Sequence, residues 1–301
     1  MQTAPRLIAQ LVASAADYTF RMAWNASLDL NYSLRQSPGG DKTVAHFSHT
    51  GPLRILQSLY PEGDQVCHNV LVHPPGGLVG GDTLNLTIDL APGAHGLLTT
   101  PGATRFYRSD GQPARQRTSI TVAENARMEW LPLEAIAYSG CLAENSFGLT
   151  LAPGAELLGW DVVALGLPAA ELPFVAGQFK QHIEVPGVWL ERACIKATDH
   201  LLLNSPLGMA GQRCVGTLFF AAGTALNRPR RQDALDAARE VMGEHALCEM
   251  AGATSPDQWV VVVRVLAPVV EPVMQLMKLV RAAWRERLWG LRGDAPRVWS
   301  T

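Results

Sequence analysis

Leu84-Asn-Leu-Thr-Ile-Asp-Leu-Ala-Pro-Gly-Ala94 reappears as Gln116-Arg-Thr-Ser-Ile-Thr-Val-Ala-Glu-Asn-Ala126, and again as Asn145-Ser-Phe-Gly-Leu-Thr-Leu-Ala-Pro-Gly-Ala155. The turn alanines Ala94, Ala126 and Ala155 lie 32 and 29 residues apart. Each copy alternates apolar and polar residues with a period of two, the signature of a half-buried strand. A Pro-Gly or Glu-Asn turn follows, then a second apolar strand: His95-Gly-Leu-Leu-Thr99, Arg127-Met-Glu-Trp-Leu131 and Glu156-Leu-Leu-Gly-Trp160. One such strand pair cannot bury its face alone, so successive pairs are expected to stack. The reading is a mainly β fold, layered or β-helical (solenoid-like).

Strand signals continue on both sides of the repeat. Trp24, Ala26, Leu28, Leu30 and Tyr32 alternate with polar residues, and Ser37–Asp41 reads as a turn. Further strands are expected at 55–59, 66–72, 178–185, 188–195, 201–204, 215–221 and 259–266. Two α-helices are expected near the C-terminal end, over 232–248 and 272–289, each with apolar residues at helical spacing. Pro272 suits a first helical position and Gly290 the residue just past the end. Residues 1–20 read as a loose N-terminal extension, and 21–301 as one β-rich domain.

Composition narrows the function. The 301 residues carry 25 Lys and Arg against 27 Asp and Glu, a formal net charge of −2, so no basic field invites nucleic acid. Charged residues are 17% of the chain against the usual ~25%, which suggests a surface partly covered by partners. No apolar run is long enough to span a bilayer. Leu7–Val12 is too short for a signal-peptide core, and five widely spaced cysteines with no C-x-x-C suit free thiols, so a cytoplasmic location is expected.

The chemistry-bearing motifs are sparse. His73-Pro-Pro-Gly-Gly-Leu-Val-Gly-Gly-Asp82 lacks the Lys of a phosphate loop and feeds a strand, not a helix. Its glycines let backbone approach a partner or an ion closely. Cys67 and His68 are neighbours in a strand and point to opposite faces, so they do not chelate one metal. The sequence holds no tight metal motif and no nucleophile elbow. Asp82, Glu134, Asp161 and Glu171 sit at strand ends near Gly, Pro or Trp. Arg230 and Arg231 precede the first helix, while Arg281, Trp284 and Arg285 lie on the second. Such Arg and Trp groupings are typical anchors of a partner interface.

Gly51-Pro-Leu-Arg-Ile-Leu-Gln-Ser-Leu-Tyr-Pro-Glu-Gly63, Cys67-His68 and the run 73–82 together resemble the urease accessory proteins of the UreD (UreH) family. The likeness continues through Leu98–Arg108, Glu129–Glu134, Gly159–Asp161 and Pro296–Thr301. Asp161 stands where Glu is frequent in that family. The resemblance implies a β-helical scaffold with a helix pair and no catalysis of its own. It implies partners: apo-urease, UreF, and the GTPase UreG joined through UreF, with GTP on UreG and not on this chain. It also implies transient nickel on its way into the urease active site. Asp82, Glu134, Asp161 and Glu171 are then candidate stations for that ion, since scattered oxygen donors suit passage better than storage. A different class remains open: a carbohydrate-active β-solenoid hydrolase or lyase using paired acids such as Asp82 and Glu134.

Overall fold

The computed structural model describes residues 23–37 and 40–300. The N-terminal extension expected over 1–20 lies outside the described residues. The strands are β1 (Asn25–Ser37), β2 (Gly40–Thr50), β3 (Arg54–Leu59), β4 (Val66–Val72), β5 (Gly77–Leu78), β6 (Thr83–Leu90), β7 (His95–Thr99), β8 (Thr104–Phe106), β9 (Ala114–Val122) and β10 (Arg127–Leu131). They continue with β11 (Ala135–Ala137), β12 (Cys141–Leu151), β13 (Glu156–Leu167), β14 (Leu172–Pro173), β15 (Gly177–Val185), β16 (Trp189–Lys196), β17 (Cys214–Ala222), β18 (Ala251–Thr254) and β19 (Val260–Ala267). The α-helices are α1 (His200–Asn204), α2 (Arg228–Gly243) and α3 (Val270–Trp289).

The repeat builds the scaffold. Its first strands, β6, β9 and β12, run parallel in a seven-stranded sheet ordered β16-β15-β12-β9-β6-β1-β2. Its second strands, β7, β10 and β13, run parallel in a twelve-stranded sheet whose main path is β18-β19-β17-β13-β10-β7-β4-β3. Each copy therefore turns once from one sheet to the other, as a β-helical coil does. Antiparallel strands finish both edges of each sheet.

Ala94, Ala126 and Ala155 occupy equivalent turns. Each donates its N–H to the residue three before it, at 3.0–3.1 Å, and each is fully buried. The position before each alanine is left-handed: Gly93 at φ 73°, Asn125 at φ 57° and Gly154 at φ 74°. Glycine or asparagine is what that conformation admits at low cost. The turns stack through Arg127 N–H to Ala94 O (2.8 Å) and Glu156 N–H to Ala126 O (3.0 Å).

Two apolar layers follow from the strand alternation. One fills the space between the sheets, with Leu28, Leu30, Ile88, Ile120, Phe147 and Phe179 among its members. The other lies between the large sheet and the α2–α3 pair, with Leu158, Trp160, Val263, Leu276 and Trp284. The two expected helices are present with shifted ends. α2 begins four residues early because Asn227 caps it through Arg230 N–H (2.9 Å) and Pro229 occupies its first turn. It ends at Gly243, five residues short of the expected 248. α3 closes at Gly290 in the left-handed conformation, as expected. The segment 201–204, expected as a strand, is helical: Asp199 accepts from Leu202 N–H at 3.0 Å and starts the turn. The long strand β2 was not expected at all.

Candidate functional site

Polar side chains interrupt the core between the sheets in one continuous layer. On the seven-stranded sheet Gln116, Asn145 and Gln181 are register neighbours on β9, β12 and β15. On the twelve-stranded sheet Asp161, Thr217 and Arg264 are register neighbours on β13, β17 and β19. Glu191 of β16 faces them. Alternation puts all seven on inward faces, between apolar rows. Phe147, Phe219 and Trp189 seal one side, with ring centroids 5.6 and 5.3 Å apart.

The layer is hydrogen-bonded in two groups, one around Asp161 and one around Glu191. Asn145 Nδ2 donates to Asp161 Oδ2 (2.9 Å) and reaches Gln181 Oε1 (3.3 Å), while Gln116 Nε2 approaches Asn145 Oδ1 (3.5 Å). Thr217 Oγ1 donates to Glu191 Oε1 (3.3 Å), and Arg264 pairs with Glu191. Among the described residues no cation pairs with Asp161. Burial pushes its pKa up to about 6, the Gln181 and Asn145 amides hold it down in part, and the charge of Glu191 adds to the rise.

One end of the layer meets a cavity of about 290 Å³ lined by His73, Arg105, Thr104, Gln116, Trp130 and Pro132 among others. A smaller pocket shares Thr104, Gln116, Trp130 and Pro132 and continues to Asn145 and Asp161. Burial lowers the pKa of His73, with the charge of Asp82 opposing it, so the imidazole at this mouth favours its neutral, ligand-competent form. The other end reaches Arg264, whose side chain is about half exposed.

The structure separates the four carboxylates singled out from the sequence. Only Asp161 lies in the layer. Asp82 is buried, but its two oxygens accept from Trp24 N–H (2.8 Å) and Val79 N–H (2.9 Å), tying the start of β1 to the glycine-rich loop. Glu134 lines a groove with Arg213 and Glu271 at the start of α3, on the helix side of the large sheet. Glu171 is exposed, in a left-handed turn at φ 57°. Asp82 is thus held by backbone N–H groups at the glycine-rich loop while Glu134 lines the groove beside α3, and no contact between the two acids of the hydrolase reading is seen among the described residues.

The arginine and tryptophan grouping is also redistributed. Arg281, Trp284 and Arg285 are 1%, 0% and 0% exposed, so within this chain they are interior and not an open interface. Trp284 Nε1 donates to Ala234 O (2.7 Å), pinning α3 to α2. Arg281 Nε meets Glu129 Oε2 at 2.9 Å, and Arg285 bridges Glu129 (3.3 Å) and Glu62 (2.7 Å). His95 and His68 contact Glu129 (3.2 Å) and Glu62 (2.7 Å) in turn. Burial alone would raise the Glu129 pKa, but Arg281, the His95 hydrogen bond and Arg285 overrule it and hold the carboxyl well below the usual range. Arg230 is half-buried and pairs with Glu156, which also accepts from Trp289 Nε1 (2.6 Å). Arg231 is half-buried in the first turn of α2. The charges looked like a surface because nothing in the local sequence announced Glu129 and Glu62 as internal partners.

The residues that complete the layer went unread: Gln116, Asn145, Gln181, Glu191, Thr217 and Arg264. A signal for two of them was present. Leu84, Gln116 and Asn145 hold the same place in the three repeat copies, ten residues before the turn alanine, where an inward residue is due.

Among the described residues no three His, Cys, Asp or Glu side chains converge as a metal site, and no helix is long and apolar enough to cross a membrane. The fold and its interior define a class: a β-helical scaffold with a helix pair on one sheet and a polar passage-like layer between the sheets. A family model described as UreD urease accessory protein matches residues 25–300. The chain is 68% identical to the urease accessory protein UreD of Polaromonas sp. (strain JS666 / ATCC BAA-500), over 93% of this chain and all of the relative. It is 66% identical to that of Polaromonas naphthalenivorans and 50% identical to that of Methylibium petroleiphilum, with the same coverage. The chain belongs to the UreD urease accessory protein family.

Proposed function

We propose that this chain is a urease maturation scaffold, without catalysis of its own, that binds apo-urease together with UreF. UreG joins through UreF and carries the GTP, and nickel is the cargo. The observation that carries this reading is the polar layer crossing an otherwise apolar core from the His73 cavity to Arg264. A buried polar layer costs stability unless its groups are paired. An acid at its centre with no cation beside it is a place for a visiting cation. The donor set is oxygen and amide, spaced along a line instead of converging. That suits successive weak contacts with a hydrated divalent ion, since tight binding would stop passage.

Asp161 is the station this reading depends on. The test replaces it with Leu and reads two quantities separately. Pull-down of urease and the accessory partners is expected to survive, while nickel content and urease activation fall. Normal activation by the Leu variant would sink the passage. Loss of the complex itself would make Asp161 a structural residue.

A further inference from the structure

The outer end of the polar layer is closed by a cation the chain itself supplies. Arg264 stands in register with Thr217, and Thr217 with Asp161, on three adjacent strands. Its guanidinium pairs with Glu191 across the layer, and Thr217 Oγ1 donates to the same carboxylate. The next strand places Gly252 opposite Arg264, exposed and with open space around it, so the row ends without a wall. Arg264 therefore has room to swing outward. Further in, Gln181 Nε2 is buried beside Asp161 without a well-aligned acceptor, a donor that can hold a water oxygen of an ion's hydration shell.

Charge explains the consequence. Glu191 and Asp161 are two carboxylates in one layer, and the charge of Glu191 raises the cost of ionising the buried Asp161. The guanidinium neutralises Glu191, while Asp161 is left bare. We propose that Arg264 is a latch: when it leaves Glu191, the Glu191 carboxylate, Thr217 Oγ1 and the nearby Asp161 carboxylate form an oxygen-lined site for a divalent cation. This inference rests on the passage reading above and adds the regulation of its outer end. Two carboxylates and a hydroxyl leave several coordination positions to water, as a transient station requires. A guanidinium and a hydrated divalent ion compete for one carboxylate, so the latch and the cargo exclude each other.

The experiment uses nickel ion alone and the purified full chain, with its accessory partner if that is needed to keep it in solution. Equilibrium dialysis compares wild type, Arg264→Gln, Arg264→Lys and the double variant Arg264→Gln/Glu191→Gln. Thermal unfolding checks that each variant is folded. Arg264→Gln is expected to bind one nickel at least tenfold more tightly than wild type. Arg264→Lys, which keeps the charge, is expected to stay near wild type, and the double variant is expected to lose the gain. An Arg264→Gln affinity equal to wild type would overturn the latch, as would a gain that survives loss of Glu191. The dialysis result is independent of urease activation. A failed latch with activation still dependent on Asp161 leaves the passage standing, and a working latch with activation indifferent to Asp161 does not rescue it.

Discussion

Asp161→Asn is expected to stabilise the protein, and only above a particular pH. In the native chain burial holds this acid at a pKa of about 6, against an ordinary value near 3.8. The native state thus binds the proton more tightly than the unfolded state. That costs nothing below about pH 4, where both states are protonated. The cost grows as pH rises and is complete above about pH 6, where the native carboxylate is ionised without a cation. Roughly two pKa units at 1.36 kcal/mol each amount to about 2–3 kcal/mol. Asparagine keeps the shape, and its carbonyl oxygen can still accept from Asn145 Nδ2, so it removes the charge and little else. For chains somewhat smaller than this one a kcal/mol moves Tm by about 2–4 °C. Asp161→Asn is therefore expected to melt several degrees above wild type at pH 8, with the difference closing toward pH 4.5. Paired melting curves at pH 4.5, 6 and 8 measure it. Equal melting at pH 8 would refute the bare-acid reasoning, and so would an advantage that does not change with pH.

Substitutions at three other positions test the scaffold. Glu129→Gln leaves the fully buried Arg281 and Arg285 short of a counter-charge, and breaking such a set costs about 3–5 kcal/mol. The expected result is a large fall in urea midpoint or in soluble yield. Gly96→Ala would place a methyl 2.7–2.8 Å from the Tyr32 ring, tighter than atoms tolerate. Overpacking of this kind costs about 1–3 kcal/mol, read from the same denaturation curves. Asn125→Ala forces alanine into a left-handed turn and is expected to cost about 1–2 kcal/mol, while Asn125→Gly stays close to wild type.

The coil arrangement was legible because it rests on local pattern: period-two alternation and a repeated turn with a left-handed third residue. β2 was not legible because its hairpin partner, β1, supplies the pairing that its own mixed sequence does not advertise. The short helix at 200–204 followed from one cap, Asp199, which a run of leucines concealed. The candidate site was half legible. Asp161 stood out as an acid beside a tryptophan, but its neighbours in the layer come from six other strands. Register across a sheet is set by tertiary pairing, and a one-residue shift would send every one of them to the opposite face. Glu134 shows the same point in reverse: it follows the second turn much as Asp161 follows the third, yet it lines the helix side of the sheet.

The molecule buries acids in two ways, and the contrast separates support from function. Glu129 and Glu62 face Arg281 and Arg285, with His95 and His68 as further contacts, so charge is balanced inside the chain. That cluster fastens α3 to the strands β4, β7 and β10, and its acids are held ionised by neighbours that never leave. Asp161 has amides, not cations, and its neighbour Glu191 is neutralised only by an arginine at the solvent edge. If the layer were there to stabilise the fold, asparagine at 161 would serve better at neutral pH. A charge kept where it weakens the structure is best explained by a requirement outside folding, since stability is commonly traded for activity at working sites. The passage proposed above supplies such a requirement: a divalent ion handed along the interior would need an acid left unpaired by the fold.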